Sequence, residues 1–199
     1  MQIDIFTTIP VLQNDRVLLR PITMDDYDHL LPFSLQEPEI WKYGLVSAAG
    51  EENLRSYLAA AVKNRVERKE FAFIVYDKGA GRYAGSTRFY DIQQPWLTTQ
   101  LGYTWYGKDF QRTGLNRHCK FLLLSYVFDT WGLERCEFRA DVKNAPSVAA
   151  MKAIGCVEEG ILRNHMPTVQ GGRRDSIILS ILKTEWEAGG RERLLDKIR

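Results

Sequence analysis

The sequence predicts a mixed α/β (α+β) domain built on one central sheet of about seven strands. Three observations carry that prediction. The patterned segments run strand, two helices, three strands, helix, strand, helix, two strands, an order that fits a single sheet flanked by helices. Phe71-Ala72-Phe73-Ile74-Val75-Tyr76 is apolar throughout, as a central strand covered on both faces would be, whereas Arg135–Asp141 alternates Cys136, Phe138 and Ala140 against Glu137, Arg139 and Asp141. The 199 residues contain no internal repeat, low-complexity run or linker, which favours one core over two.

Taken in order, residues 1–15 read as a lead-in and Arg16–Pro21 as a short first strand ended by proline. Thr23 caps a helix that carries acid in its first turn and stops near Pro32. A second helix spans about Glu51–Lys69, with Leu54, Leu58, Ala61, Val62 and Val66 at helical spacing. After Phe71–Tyr76, the loop Asp77–Gly81 turns into a third strand, Arg82–Asp91, whose Gly85 points to a bulge or a close contact. A fourth strand, Gln100–Tyr106, places Leu101, Tyr103 and Trp105 on one side and Gly102 and Thr104 on the other. The helix Leu115–Thr130 buries Leu115, Cys119, Leu122 and Tyr126, and Gly132 sits where a C-terminal cap is expected. The fifth strand leads to a short helix, Pro146–Ile154, then to strands at Val157–Met166 and Asp175–Leu182 and a charged final helix, Thr184–Arg199.

Bulk properties exclude several classes. A net charge of +2 is too balanced to suggest nucleic-acid binding by electrostatics alone. No apolar run approaches the length of a membrane span, and MQIDIFTTIP lacks the basic start and apolar core of a signal peptide. Three dispersed cysteines, Cys119, Cys136 and Cys156, form neither a disulfide framework nor a metal motif and fit a reducing cytoplasm. No metal cofactor is expected.

The chain is organised around Tyr103–Tyr126. There a strand ends, a polar turn follows, and a long helix starts. The turn Gln111-Arg112-Thr113-Gly114-Leu115-Asn116 can aim backbone N–H groups at one point, where the helix dipole adds about half a positive charge. Such a helix start is an anion site, most often for phosphate, although an ordinary surface turn reads the same way.

These residues resemble the GNAT superfamily of acyl-CoA-dependent N-acetyltransferases, and within it the ribosomal-protein N-terminal acetyltransferase type. The family's pyrophosphate motif, Gln/Arg-x-x-Gly-x-Gly/Ala, matches Gln111–Asn116, with Asn116 in place of the final small residue. Asn144-x-x-Ser147, Ile154-Gly155-Cys156, Glu159-Gly160-x-Leu162-Arg163, the run Gly171…Arg174-Asp175…Ser180 and Glu185-Trp186 extend the match over roughly residues 16–187. That span is the expected N-acetyltransferase domain, followed by a charged helix or tail over 188–199.

The resemblance implies a mostly antiparallel sheet with a splay between the fourth and fifth strands, and acetyl-CoA as co-substrate. The pantetheine arm would lie along Tyr103, Thr104, Trp105 and Tyr106. The pyrophosphate would sit on Gln111, Arg112, Thr113, Gly114, Leu115 and Asn116, with Arg112 or Arg117 able to add charge. Asn144 would bond the arm while capping its helix, and the Ser147 hydroxyl would lie near the sulfur and protonate the departing thiolate. A thiol pKa of about 8.5 makes that leaving group tolerable without full protonation, so Ser147 should help rather than be indispensable. The acceptor is a primary amine, on a protein N-terminus or a small molecule, and by resemblance alone the chain could pair as a homodimer.

The attacking amine must be neutral, and here the sequence departs from the subgroup. Met166 occupies the position on the sixth strand where those enzymes can carry a carboxylate; the neighbouring His165 should face the other way, and Asp91 and Glu137 are further candidates. Deprotonation at pH 7 costs about 1.4 kcal/mol for an α-amine and about 4.6 kcal/mol for a lysine side chain. Without an evident strong base, an α-amine or another amine of low pKa is the better matched acceptor. Trp41, Tyr43, Arg88, Tyr90, Trp96 and His165 are the candidate walls of its pocket. The alternative from another class is a non-catalytic acyl-CoA-binding sensor or interaction module. The missing carboxylate favours that alternative, and Asn144 and Ser147 oppose it.

Overall fold

A computed structural model describes Phe6 and residues 10–199; the expected lead-in therefore lies partly outside the described residues. Among the described residues, one sheet of eight strands carries the chain. The strands are β1 (Leu12–Gln13), β2 (Val17–Pro21), β3 (Phe71–Asp77), β4 (Arg82–Gln93), β5 (Thr98–Tyr106), β6 (Arg135–Asp141), β7 (Val157–Pro167) and β8 (Arg173–Leu182), in the order β1-β2-β3-β4-β5-β6-β8-β7. Neighbours run antiparallel except β5 and β6, which run parallel. The eighth strand is β1, a two-residue edge piece within the lead-in that pairs with Leu18 and Leu19.

Helices α1 (Tyr27–Gln36) and α2 (Glu51–Val66) cover one face of the sheet. Beneath them Ile22, Leu30, Trp41, Leu54, Tyr57, Leu58, Ala72, Ile74 and Trp105 form one core. On the other face, α3 (Leu115–Ser125), α4 (Ala145–Ala153) and α6 (Arg191–Asp196) close a second core with Phe71, Phe73, Phe89, Leu101, Leu123, Phe138, Leu179 and Trp186. Strand β3 divides Phe71–Val75 between the two cores, which is why that run is apolar at every position.

Three local readings change. Helix α1 continues past Pro32 to Gln36, because Ser34 donates to the carbonyls of Ala48 (2.6 Å) and Gly50 (3.0 Å) and so ties the last turn to the next loop. In α2 the buried face is Leu54, Tyr57, Leu58 and Ala61, whereas Val66 is 76% exposed. The charged C-terminus is no free tail. A single turn, α5 (Lys183–Glu185), and a π turn lead into a kink at Ala188–Gly189, and α6 then buries Leu194 in the α3-side core.

Candidate active site

Two features open the middle of the sheet. Strands β5 and β6 pair only over Thr98–Gln100 and Arg135–Glu137, so from Leu101 onward β5 has no neighbour on that side. Beside this opening β5 bulges. Gly102 pairs with Arg88 and Trp105 with Ser86, so β5 carries one residue more than β4 across that stretch. Tyr103 takes up the extra residue in the left-handed region, at φ 48°. Expected alternation along β5 is therefore reset. Leu101 and Tyr106 point into the α3-side core and Trp105 into the α1/α2-side core, so Leu101 does not share a face with Trp105. The close approach of the two strands depends on Gly85, where a Cβ would fall 2.0 Å from the Trp105 carbonyl oxygen.

The four residues expected to hold the pantetheine arm line this bank. The Tyr103 ring packs edge-on to Tyr90 at 5.0 Å and takes the Arg88 guanidinium at 4.5 Å. Thr104 faces the other way, with its hydroxyl 2.7 Å from that of Thr87. The Trp105 indole donates to the Tyr57 hydroxyl at 3.4 Å and meets Trp41 edge-on at 5.0 Å. Tyr106 is buried, and burial holds its phenol well above the usual range.

At the open end of β5 the chain makes the polar turn. Gln111, Arg112 and Thr113 are exposed, and Arg112 and Gly114 adopt left-handed φ values of 62° and 87°. Gly114 is the N-cap of α3, and a Cβ there would meet nothing within 4 Å. Left-handed residues in a turn aim successive N–H groups at one concavity, and the α3 dipole adds to it. Gln111 Nε2 donates to the Tyr106 carbonyl (2.9 Å) and Thr113 Oγ1 to the Phe110 carbonyl (2.8 Å), so these side chains hold the turn's shape. Leu115 is buried and anchors the first turn of the helix. Asn116 Oδ1 accepts from the Tyr106 hydroxyl at 3.2 Å. Its side chain thus fastens α3 to the end of β5.

Because β5 and β6 are parallel, both end at the same edge of the sheet, and the second bank closes opposite the first. There Asn144 caps α4, its Oδ1 accepting from the Ser147 backbone N–H at 3.3 Å. Asn144 and Ser147 are both half-buried.

The acceptor candidates divide. Trp41 is buried core, and Trp96 stands 73% exposed on the β4–β5 connection. Arg88, Tyr90, Tyr103 and Tyr57 cluster on the α1/α2 face of the sheet, where Arg88 pairs with Glu70 at 2.8 Å. Tyr43 contributes its carbonyl, which accepts from Arg174 at 3.4 Å. Neither acidic candidate is a free base. Glu137 is held by Arg135 (2.9 Å) and Arg139 (2.6 Å), and Asp91 accepts from Gln93 and Gln100, both at 2.7 Å. Strand β7 is irregular between Leu162 and Met166, with Asn164 at φ 51°, so the regular-strand placement of His165 fails; His165 and Met166 are both half-buried. The His165 Nδ1 is sealed without a hydrogen-bond partner. Burial, then Arg139, Arg174 and Arg173, push its pKa below the ordinary imidazole value, which keeps the ring neutral at neutral pH.

The burial of two cations, Lys120 and Arg174, escaped the sequence reading. Lys120, on α3, is 4% exposed and donates to Thr104 Oγ1 at 3.0 Å beneath the splay. Burial lowers its pKa to about 8. Its place one step beyond Cys119 on the buried face was the available signal, masked by the rule that lysine stays outside. Arg174, on β8, is 8% exposed, and burial lowers its pKa too.

This geometry is shared with known proteins. Residues 16–157 match the acetyltransferase (GNAT) domain family. YdaF of Bacillus subtilis (strain 168), named for ribosomal N-acetylation, is 25% identical over 181 residues, covering 87% of this chain and 95% of its own. A GCN5-related N-acetyltransferase of Brucella melitensis superposes with a TM-score of 0.86 at 26% identity, covering 94% of this chain and 85% of its own. A T. thermophilus protein described as an acetyltransferase superposes equally well, with a TM-score of 0.86 at 27% identity over 96% of this chain and 99% of its own. The chain belongs to the GNAT acetyltransferase family, in which acetyl-CoA is the acyl donor.

Proposed function

We propose that the protein transfers an acetyl group from acetyl-CoA to the α-amine of a protein N-terminus or to a small primary amine. The observation that carries this reading is the splay, with bulged β5 running to the left-handed turn of α3 on one bank and the Asn144-capped α4 on the other. In it, Tyr103–Tyr106 offer unpaired backbone to the peptide-like pantetheine arm, as an added strand would require. The turn at Gln111–Asn116 takes the pyrophosphate. Asn144 bonds the arm from the other bank.

The amine then attacks the thioester carbonyl from the α1/α2 face. A C–N bond forms, the C–S bond breaks, and a backbone N–H near Trp105 stabilises the oxyanion in between. Ser147 supplies a proton to the departing thiolate. The amine's own proton goes to His165, directly or through water, since that imidazole is neutral and Glu137 and Asp91 are committed elsewhere. A modest base matches an acceptor of low pKa. YdaF's name supports a ribosomal protein N-terminus as one such acceptor.

A thiol-release assay with acetyl-CoA tests this against peptides with free or blocked N-termini, internal-lysine peptides and small amines. Turnover on free α-amines is the expected result. Acetylation confined to internal lysines would refute the α-amine assignment. Tight acetyl-CoA binding with no turnover on any amine would instead support the non-catalytic sensor.

A further inference from the structure

On the α1/α2 face, beyond the splay, the charges are mostly balanced in place. Arg88 is paired with Glu70. Glu159, Arg135, Glu137 and Arg139 form a chain of two carboxylates and two guanidinium groups. Arg174 is the exception. It is as buried as a core side chain, yet it has no ion-pair partner among the described residues. Its protein hydrogen bonds are Nε to Ser176 Oγ at 2.9 Å and Nη1 to the Tyr43 carbonyl at a long 3.4 Å. A guanidinium has more N–H groups than these two bonds use. None of its nitrogens is sealed off without a partner, as Arg88 Nε is, so the remaining donors stay accessible.

The position is as telling as the missing partner. Ser176 pairs with Asp141 and Met166 with Arg174, so Arg174 stands on the strand beside the β6 bank. It reaches across to the loop that follows Trp41, on the side of α1 and α2. Tyr90, Tyr103, Arg139 and Asp141 lie within its electrostatic reach, and His165 lies within the reach of Arg174 in turn. Asp141 offsets part of the charge, but its Oδ1 accepts from the Lys143 backbone and it makes no ion pair among the described residues. Arg173, exposed and bonded to the carbonyls of Asn164 and His165, adds a second cation at the rim. The cleft is left with an excess of positive charge. A buried guanidinium without a carboxylate is costly, and the cost is recovered when a ligand supplies one.

We propose that Arg174 is the anchor of a carboxylate-binding subsite, and that the acceptor is a primary amine carrying a carboxylate a few bonds away. This rests on the acetyltransferase reading above and narrows its substrate class. Two sources share that chemistry: the α-carboxylate of a free amino acid, and an acidic side chain next to a peptide N-terminus. Planar, two-pronged contact with the guanidinium would fix the carboxylate, and with it the direction of the amine.

The test compares kcat/KM for amino acids with that for their C-terminal amides, which keep the amine and lose the carboxylate. Dipeptides with acidic or neutral second residues form the second arm and separate the two sources. The acid should be preferred over its neutral counterpart by on the order of 10²-fold in one of the arms. Arg174→Met should bring that ratio close to one, with acetyl-CoA affinity unchanged, and Arg174→Lys should restore part of it. Equal turnover of acid and neutral forms by the native protein overturns the proposal, and this holds even if the variants do not fold. A ratio that survives in Arg174→Met overturns it as well. If no amine is acetylated, calorimetric titration of the acetyl-CoA complex with amino acids decides. Binding that Arg174→Met abolishes upholds the subsite while the transfer reading fails; no binding of any carboxylate ends the proposal.

Discussion

Gly85 and Lys120 show how single residues set the middle of the sheet. At Gly85 the backbones of β4 and β5 come so close that a Cβ would meet the Trp105 carbonyl oxygen at 2.0 Å and the Tyr106 Cα at 2.9 Å. Neither obstacle is a side chain that can swing away. Gly85→Ala should therefore destabilise the protein by about 3 kcal/mol or more, read from chemical denaturation, and should disturb the β5 bulge with it. Lys120 contributes in the opposite direction. Its folded pKa, about 8, lies below the ordinary 10.5, so the unfolded chain holds more protons between those values. Its burial is thus destabilising below pH 8, and the penalty fades as pH climbs from about 8 to about 10.5. Lys120→Met should raise stability at pH 7 by about 1–3 kcal/mol, and that gain should shrink across the same window. A stability difference that stays constant from pH 7 to pH 10.5 would show that Lys120 is not buried as a cation.

Among the elements, α3 and α4 matter through their first turns. Helix α4 is short, and Asn144 caps it by accepting from the Ser147 N–H. Asn144→Ala should cost about 1 kcal/mol of stability. In the proposed function it should also raise the KM for acetyl-CoA, since the same side chain faces the pantetheine arm. Ser147→Ala keeps the cap, because the backbone N–H is the donor there. It should leave stability unchanged and lower kcat by about 10-fold or less, as general-acid help to a good leaving group is worth little. Steady-state kinetics beside thermal melts separate the two effects. A Ser147→Ala variant losing all turnover would mean that the thiolate needs its proton in full.

For the molecule as a whole, the splay leaves the β6 side of β5 unpaired from Leu101 to Tyr106, while its other side stays paired with β4, in a sheet otherwise paired from edge to edge. A ligand that completes this gap binds the folded state alone. Acetyl-CoA at about 100 times its Kd should stabilise by about 2.7 kcal/mol, which for a chain of this size is a rise in Tm of about 5–10 °C. Acetyl-CoA that leaves the melting curve unmoved at millimolar concentration would count against the splay as its site.

Most of the fold, and the turn and cap geometry on which the proposed coenzyme site rests, were legible in the chain's order of residues, because those depend on local chemistry. Alternation and continuous apolar runs marked the strands, Arg135–Asp141 at its observed limits and Phe71–Asp77 to within a residue. The turn before α3 and the Asn144 cap were legible because a glycine with positive φ and a side-chain cap are written into a few consecutive residues. Folding alone settled what distant segments do to one another. The bulge at Tyr103 moves Leu101 to the face opposite Trp105, and an inserted residue leaves no mark in the alternation that predicts faces. Helix α1 runs through Pro32 because Ser34 is held by a loop that comes later in the chain. The acceptor side is written least clearly of all. Whether Glu137 and Asp91 are free, whether Lys120 is buried and whether Arg174 has an ion-pair partner among the described residues depend on which charges come together across strands. Pairing and burial set the energy of a charge, and both belong to the folded chain rather than to any stretch of its sequence.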